Sequence, residues 1–171
     1  TAFSLVLADA GNDVTLWARR AEVSDTINRR RENPDYLPGV ELPPTVSATH
    51  DTEKAMAGAE VVVFAVPSQT FRANLEQWAP FIPESAVMVS LMKGVELGTL
   101  KRMSEVVGEV TGAGPRRIAV VTGPNLSHEI AQREPAASVV ACADEDVARQ
   151  VQHLVHGPAF RPYTSVDVVG C

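Results

Sequence analysis

The sequence predicts an α/β fold with a doubly wound, mostly parallel sheet and helices on both of its faces. Two observations carry this prediction. Short apolar runs alternate with segments whose apolar residues recur at helical spacing. Runs such as 61–66 and 86–92 are apolar on both faces, as in strands that are buried between two layers of helices. The chain has 171 residues, 45% of them hydrophobic, so it can bury such a core as one domain.

The chain opens within a helical pattern that Gly11 ends, because glycine readily adopts the left-handed conformation of a helix cap. In a doubly wound fold a strand and its turn precede such a helix, and we expect both to lie before Thr1. A proline-rich loop is expected at 33–44. The later strands are predicted at 13–18, 45–49, 61–66, 86–92, 118–122, 136–142 and 159–163. The later helices are predicted at 21–32, 52–59, 68–78, 100–110, 126–133 and 144–156.

Composition excludes several classes of function. Acidic residues outnumber basic ones 21 to 15, so the basic excess of a nucleic-acid-binding protein is missing. No apolar run reaches the ~18 residues of a membrane span. Cys142 and Cys171 form no zinc spacing, and no third ligand accompanies His153 and His156, so no metal is expected. Two distant cysteines predict a reducing, cytoplasmic setting.

The first candidate site lies at the carboxyl end of strand 13–18, because ligands of such sheets bind beyond the strand ends. Arg19 and Arg20 stand where an NAD site usually carries an acidic residue for the ribose 2′-hydroxyl. Arginine at this place suits a 2′-phosphate instead. The alternative is that two surface arginines simply begin a helix.

Lys93 is the second candidate, because it follows the apolar strand 86–92. A bare ammonium is costly to bury, so we expect Lys93 to meet an anion, and Gly94 allows a backbone to come close. Lys54 and Lys101 are predicted on helices, where solvent exposure explains them. A structural lysine whose head reaches solvent is the alternative.

A third candidate is the turn that begins at Gly123, after strand 118–122. Pro124 is expected at the first position of the next helix, and the free N–H groups of a helix start attract anions. An ordinary turn between strand and helix is the alternative. Phe71, which follows strand 61–66, either covers a ring-shaped ligand or fills the core.

Six short motifs, taken in order, resemble the NAD(P)-dependent glycerol-3-phosphate dehydrogenase family. They are Leu16-Trp17-Ala18-Arg19, Tyr36-Leu37-Pro38-Gly39, Ala65-Val66-Pro67-Ser68, Lys93-Gly94-Val95-Glu96, Thr122-Gly123-Pro124-Asn125, and Phe160-Arg161-Pro162-Tyr163 continuing through Asp167-Val168-Val169-Gly170. The resemblance covers the whole chain and places Thr1 directly after the family's GxGxWG loop. It implies an NAD(P)-binding Rossmann-like domain over residues 1–171, truncated at both ends, with the family's all-helical substrate domain outside this chain.

The resemblance also implies roles for individual residues. It makes Lys93 a catalytic residue that contacts both the nicotinamide cofactor and the glycerol phosphate. It implies substrate binding by Gly123 and Asn125, and cofactor binding by Arg19, Arg20, Tyr36, Phe71, Lys93 and Ser127. Asn125 departs from the Ser or Thr usual in the family, and Ser127 from the common Ala. The family's general-base lysine falls beyond Cys171, so residues 1–171 alone are expected to be inactive.

The implied reaction is reversible hydride transfer between sn-glycerol 3-phosphate and dihydroxyacetone phosphate, with NADP(H) favoured and NAD(H) as the second option. The resemblance implies a cytoplasmic homodimer that supplies glycerol phosphate for phospholipid synthesis. One alternative is another two-domain dehydrogenase, such as a ketopantoate reductase or a hydroxyacid dehydrogenase, which lacks this order of motifs. A non-catalytic nucleotide-binding domain is the other, and the residues after Cys171 discriminate it from an enzyme.

Overall fold

The computed structural model describes residues 1–171, which form seven helices and seven strands. In chain order they are α1 (Ala2–Asp9), β1 (Val14–Trp17), α2 (Ala21–Arg30), β2 (Val46–Thr49), α3 (Thr52–Met56), β3 (Val61–Phe64), α4 (Ser68–Trp78), β4 (Val87–Ser90), α5 (Met103–Thr111), β5 (Ile118–Thr122), α6 (Ser127–Ala131), β6 (Ala136–Cys142), α7 (Glu145–Val155) and β7 (Phe160–Ser165). Two short 3₁₀ helices, Ala79–Phe81 and Pro115–Arg117, were not predicted from the sequence. None of the helices is both long and apolar enough to cross a bilayer.

The chain folds as two compact units. The first comprises Thr1–Ala55, Gly123–Ser138 and Gln152–Pro162, and the second comprises Met56–Thr122, Val139–Val151 and Tyr163–Cys171. In the first unit, β1 and β2 pair in parallel, and both α1 and α2 pack on this pair. Its buried core consists of Leu5, Ile27, Leu37, Leu42, Val46, Ala48 and Ala131. Burial of each large aliphatic side chain stabilises the fold by about 1.5–3 kcal/mol.

Helix α1 ends at the glycine that the sequence indicates. Gly11 has φ +91°, its N–H donates to the carbonyl of Ala8 at 2.9 Å, and the N–H of Asn12 donates to the carbonyl of Leu7 at 3.1 Å. These two bonds form a Schellman motif, which requires a left-handed residue at the position of Gly11. The predicted helix end is therefore confirmed.

A five-stranded sheet has the order β3-β4-β5-β6-β7. Strands β3, β4 and β5 run parallel, and β6 runs antiparallel to β5. In the second unit, α4 and α5 pack together and α5 contacts β4 and β5. The ring of Phe64 stacks on that of Trp78, with centroids 6.3 Å apart. The mixed sheet with helices on its faces confirms the predicted Rossmann-like α/β class, although the antiparallel strand pairing was not predicted.

Three predicted boundaries are wrong in ways that affect the candidate sites. The strand predicted at 86–92 ends at Ser90, so Lys93 lies in the following loop. The helix predicted at 100–110 begins at Met103, because Leu100 has φ +57°, which interrupts a helix; Lys101 consequently precedes α5. The helix predicted at 126–133 begins at Ser127, so Pro124 is not its first residue.

Candidate functional site

Arg19 and Arg20 are exposed in the first unit, in the segment between β1 and α2. The guanidinium of Arg20 forms an ion pair with the carboxylate of Asp35. Arg19 makes no ion pair or side-chain hydrogen bond. The side chain of Tyr36, next to Asp35 in sequence, is 71% exposed. One guanidinium at this strand end thus stands open to an anion, while the second shares its charge with a carboxylate.

The loop that presents Tyr36 is fixed by its own bonds and by one core residue. The N–H of Leu37 donates to the carbonyl of Asn33 at 2.8 Å, and the Leu37 side chain is 1% exposed. The N–H of Gly39 donates to Oε1 of Glu32 at 2.8 Å. Because Leu37 is buried while its neighbours in the turn are exposed, the loop holds Tyr36 outward at a defined place.

The turn after β5 contains a tightly packed group of three residues in the first unit. The side-chain amide of Asn125 donates to the hydroxyl of Ser138, which is 3% exposed. A Cβ at Gly123 would lie 2.8 Å from the carbonyl oxygen of Ala137 and 3.0 Å from both Asn125 Nδ2 and Ser138 Oγ. Only glycine therefore fits at position 123 without displacing this pair.

The same turn contains a buried acceptor that has no hydrogen-bond partner. Oδ1 of Asn125 is buried and accepts no hydrogen bond. An unsatisfied buried acceptor costs about 1–3 kcal/mol. Ser127 begins α6 two residues further on and is exposed.

Lys93 lies in the second unit and is exposed, three residues beyond the end of β4. The prediction that Lys93 stands at the end of a strand is wrong, because the chain leaves the sheet at Ser90, and its contact with an anion stays a prediction. Gly94 has φ +92°, a left-handed conformation that favours glycine, and an added Cβ would lie 3.8 Å from Oγ of Ser68. Glycine at position 94 therefore serves the left-handed conformation beside Lys93, and the expected close approach of a backbone is not seen there.

The loop that carries Lys93, residues 91–102, is bonded to α4 through Glu96. Arg72 donates two hydrogen bonds to the Glu96 carboxylate and holds its pKa down at about 2. Nη2 of Arg72 also donates to Glu109 at 3.3 Å, and Lys101 forms an ion pair with the same carboxylate. Lys101 was predicted to be solvent-exposed on a helix, but it precedes α5 and is paired with Glu109.

Phe71 is fully buried in the second unit. Its ring lies 5.1 Å from that of Phe64, centroid to centroid, in a tilted arrangement. The ring therefore forms part of the core between α4 and β3. Its contact with the cofactor stays a prediction.

Four residues that order these loops and turns were not predicted as functional from the sequence: Gln69, Arg72, Glu96 and Ser138. Glu96 was visible as the last residue of the Lys-Gly-Val-Glu motif. Ser138 was visible as a polar residue inside an otherwise apolar strand. No pattern in the sequence pairs Arg72 with Glu96, because they lie 24 residues apart on different elements.

The donor chemistry in the first unit fits the phosphate-bearing half of a dinucleotide. Arg19 and Arg20 present guanidiniums at the carboxyl end of a strand in a Rossmann-like fold, where such cofactors bind. Guanidinium groups match phosphate oxygens in geometry and charge. The fold and these side chains define a chain of the nucleotide-binding α/β class.

The chain belongs to the NAD-dependent glycerol-3-phosphate dehydrogenase family. The family profile described as "NAD-dependent glycerol-3-phosphate dehydrogenase N-terminus" matches residues 1–148. A protein of Streptomyces avermitilis named glycerol-3-phosphate dehydrogenase [NAD(P)+] is 63% identical over 171 residues, which are 100% of this chain and 51% of that protein. The chain thus spans about half the length of the curated relatives it matches.

Solved structures agree with this assignment. The glycerol-3-phosphate dehydrogenase of Coxiella burnetii superposes with a TM-score of 0.91 at 30% identity, over 99% of this chain and 51% of that one. A ketopantoate reductase of Ralstonia eutropha superposes with a TM-score of 0.67 at 20% identity, over 97% of this chain and 53% of that one. The second likeness shows a shared fold alone, so the ketopantoate reductase alternative is not favoured.

Proposed function

We propose that the complete protein carrying this chain catalyses the reversible transfer of hydride between sn-glycerol 3-phosphate and dihydroxyacetone phosphate. The observation that carries this proposal is family membership over residues 1–148, together with 63% identity to a relative named for this activity. Residues 1–171 are its dinucleotide-binding domain. When bound, the nicotinamide cofactor supplies or accepts the hydride.

In the first unit, Arg19 and Arg20 bind the adenosine phosphate end of the cofactor, with Tyr36 beside them and Ser127 as a further contact. Support comes from the exposed, unpaired guanidinium of Arg19. Because no carboxylate pairs with Arg19, and arginine suits a 2′-phosphate, NADPH is the favoured cofactor. NADH binds by the same route without that phosphate contact.

Substrate oxygens are held by the turn at Gly123 and Asn125. Support comes from the close packing at Gly123 and from the unsatisfied Oδ1 of Asn125, which can accept a hydrogen bond from a substrate hydroxyl. An amide thus replaces the hydroxyl side chain that is usual in the family.

Lys93 contacts substrate and cofactor and stabilises the negative charge that develops on the carbonyl oxygen during reduction. An exposed ammonium on a loop fixed at Gly94 suits this role. Phe71, a core residue of the same unit, lies near the nicotinamide.

The protein acts as a cytoplasmic homodimer that provides glycerol phosphate for phospholipid synthesis. Its two cysteines are free thiols, Cys142 buried and Cys171 exposed, which suits a reducing compartment. A dimer is testable by the mass of the complete protein in solution.

The test of the proposed activity is a spectrophotometric assay of the complete protein with dihydroxyacetone phosphate. The assay monitors the oxidation of NADPH and, in a separate experiment, of NADH. We expect turnover with both and a higher kcat/KM with NADPH. Ketopantoate serves as the competing substrate. Absence of turnover with either cofactor, in a protein that still binds NADPH, would favour the non-catalytic nucleotide-binding alternative.

A further inference from the structure

The loop that carries Lys93 is held by a side chain that grips its backbone. Nε2 of Gln69 donates to the carbonyl of Val95 at 2.8 Å, and Oε1 of Gln69 accepts from the N–H of Leu97 at 3.0 Å. One amide therefore satisfies both a carbonyl and an N–H of the loop. This fixes the backbone that begins two residues after Lys93.

Between those two bonds lies the only carboxylate of the loop. Nε of Arg72 donates to Oε1 of Glu96 at 2.7 Å, and Nη2 of Arg72 donates to Oε2 at 2.9 Å. Gln69 and Arg72 lie three residues apart in α4 and so share one face of the helix. Four hydrogen bonds between this helical face and the loop thus engage three successive loop residues.

Glu96 is also hydrogen-bonded to other residues of its own loop. The N–H of Glu96 donates to the carbonyl of Lys101 at 2.9 Å, and its carbonyl accepts from the N–H of Leu100 at 2.9 Å. The hydroxyl of Thr99 donates to Oε2 of Glu96. Glu96 consequently takes part both in the hydrogen bonds within the loop and in those that attach the loop to α4.

These hydrogen bonds restrain the loop more strongly than an isolated surface ion pair would. Exposed pairs contribute about 0–1 kcal/mol, and a single pair does not fix a backbone. Here the Glu96 side chain is only 14% exposed, its pair with Arg72 is bidentate, and Gln69 holds the neighbouring peptide groups. The result is a defined position for a short loop whose own apolar residues are largely exposed, Leu97 by 75%.

We propose that Gln69, Arg72 and Glu96 form a clasp that positions Lys93 for the reduction of dihydroxyacetone phosphate, an inference that rests on the proposed function. The three are positioning residues, since they act through the backbone of the loop. Displacement of a reacting group by about 1 Å can lower a rate by about 10²-fold, so a loosened loop is expected to be visible in catalysis.

The test uses the complete protein with Glu96→Gln, which removes the charge of the carboxylate and keeps its shape. We expect kcat/KM for dihydroxyacetone phosphate to fall roughly ten- to a hundredfold. Glu145→Gln is the matched control, because Glu145 also accepts from an arginine, Arg149, but on α7. We expect the control to retain its activity.

A double-mutant cycle with Lys93→Ala separates positioning from general stabilisation. If the clasp acts through Lys93, Glu96→Gln has no further effect on kcat/KM once Lys93 is absent. If the two losses multiply, Glu96 is structural and the proposal is wrong. Gln69→Glu gives a milder second variant, since it keeps the acceptor for Leu97 and loses the donor to Val95.

Amide hydrogen exchange provides a readout that does not depend on activity. We expect the amides of Leu97 and Leu100 to exchange faster in Glu96→Gln than in the unmutated protein, and to be unchanged in Glu145→Gln. If the complete protein does not reduce dihydroxyacetone phosphate at all, the proposed function fails, and the exchange rates alone decide the clasp. Unchanged exchange at both amides overturns it in either case.

Discussion

Asn28 and Ala48 exchange two hydrogen bonds across the first unit. Nδ2 of Asn28 donates to the carbonyl of Ala48 at 2.8 Å, and Oδ1 accepts from the N–H of Ala48 at the same distance. Helix α2 thereby supplies both partners that a neighbouring strand would otherwise give to β2. The Asn28 side chain therefore satisfies the backbone N–H and carbonyl of Ala48 in β2.

We predict that Asn28→Ala lowers the free energy of unfolding by about 1–3 kcal/mol, because two hydrogen bonds to a strand are lost. Asn74→Ala is the control, since Asn74 makes a single bond within its own helix, to the carbonyl of Thr70. Both changes place alanine in a helix, so the gain in helix propensity cancels in the comparison. Urea denaturation of the two variants measures the difference, and equal midpoints would contradict the prediction.

Gly123 tolerates no side chain. We predict that Gly123→Ala destabilises the protein by about 1–3 kcal/mol through overpacking and lowers activity by displacing Asn125. Gly114→Ala is the matched control, because a methyl group at that position would meet nothing within 4 Å and its φ is −69°. Thermal melts and steady-state kinetics check both variants. A Gly123→Ala protein that behaves like the control would show that the turn can relax.

Cofactor choice should depend on Arg19 more than on Arg20. We predict that Arg19→Asp weakens NADPH binding on the order of 10–150-fold, the equivalent of one charge-assisted contact of about 1.5–3 kcal/mol, and NADH binding far less. Arg20 already shares its charge with Asp35, so Arg20→Asp should discriminate less. Fluorescence titration with each cofactor gives the dissociation constants, with Arg30→Asp as the control. Equal losses for both cofactors would make Arg19 a structural residue.

Lys93→Ala should lower kcat/KM on the order of 10²–10³-fold, because an ammonium is removed from the charge that develops in the reaction. Lys93→Arg should restore little, since a planar guanidinium does not replace a compact ammonium. Stability should change little in either variant because Lys93 is exposed. Kinetics and melting temperatures on one preparation test this, with Lys54→Ala as the control. Normal kinetics with a lowered melting temperature would assign Lys93 to the scaffold.

Stability in acid should depend on Glu96. Arg72, Thr99 and Lys101 together lower its pKa to about 2, whereas an unfolded glutamate titrates near its ordinary value, about 4.3. The unfolded state therefore binds its proton first as the pH falls, so the stabilisation is complete above about pH 5 and is lost progressively toward about pH 2. We predict that melting temperature falls less steeply over this range in Glu96→Gln. Parallel curves for the two proteins would contradict the coupling.

The local patterns of the sequence located nearly all of the strands and helices, and α4, β5 and β6 match their predicted bounds. Apolar periodicity is a local property, so it identifies such elements well. The antiparallel pairing of β6 with β5 depends on which distant segments meet, and periodicity carries no information on direction. Lys101 shows the same limit, because Leu100 takes a left-handed conformation that the surrounding loop imposes.

In the candidate site, too, some features could be predicted from the local sequence and others depend on contacts between distant residues. Gly94 and Gly123 were recognisable because glycine marks backbone that no other residue can adopt or approach. The position of Lys93 at a strand end was wrongly predicted, because β4 ends at Ser90, two residues before the predicted end. The Arg72–Glu96 and Asn125–Ser138 pairs join separate elements, so only the folded chain reveals them.

The hydrogen bonds between Gln69 and the loop determine which loop positions can accept substitutions. Within the loop, Gln69 bonds only to peptide groups at Val95 and Leu97, so it is indifferent to the side chains there, both of which face solvent to a large extent. Position 96, in contrast, contributes its own carboxylate. In a library randomised at 95–97 and selected for activity, we expect diverse residues at 95 and 97 and near fixation of glutamate at 96.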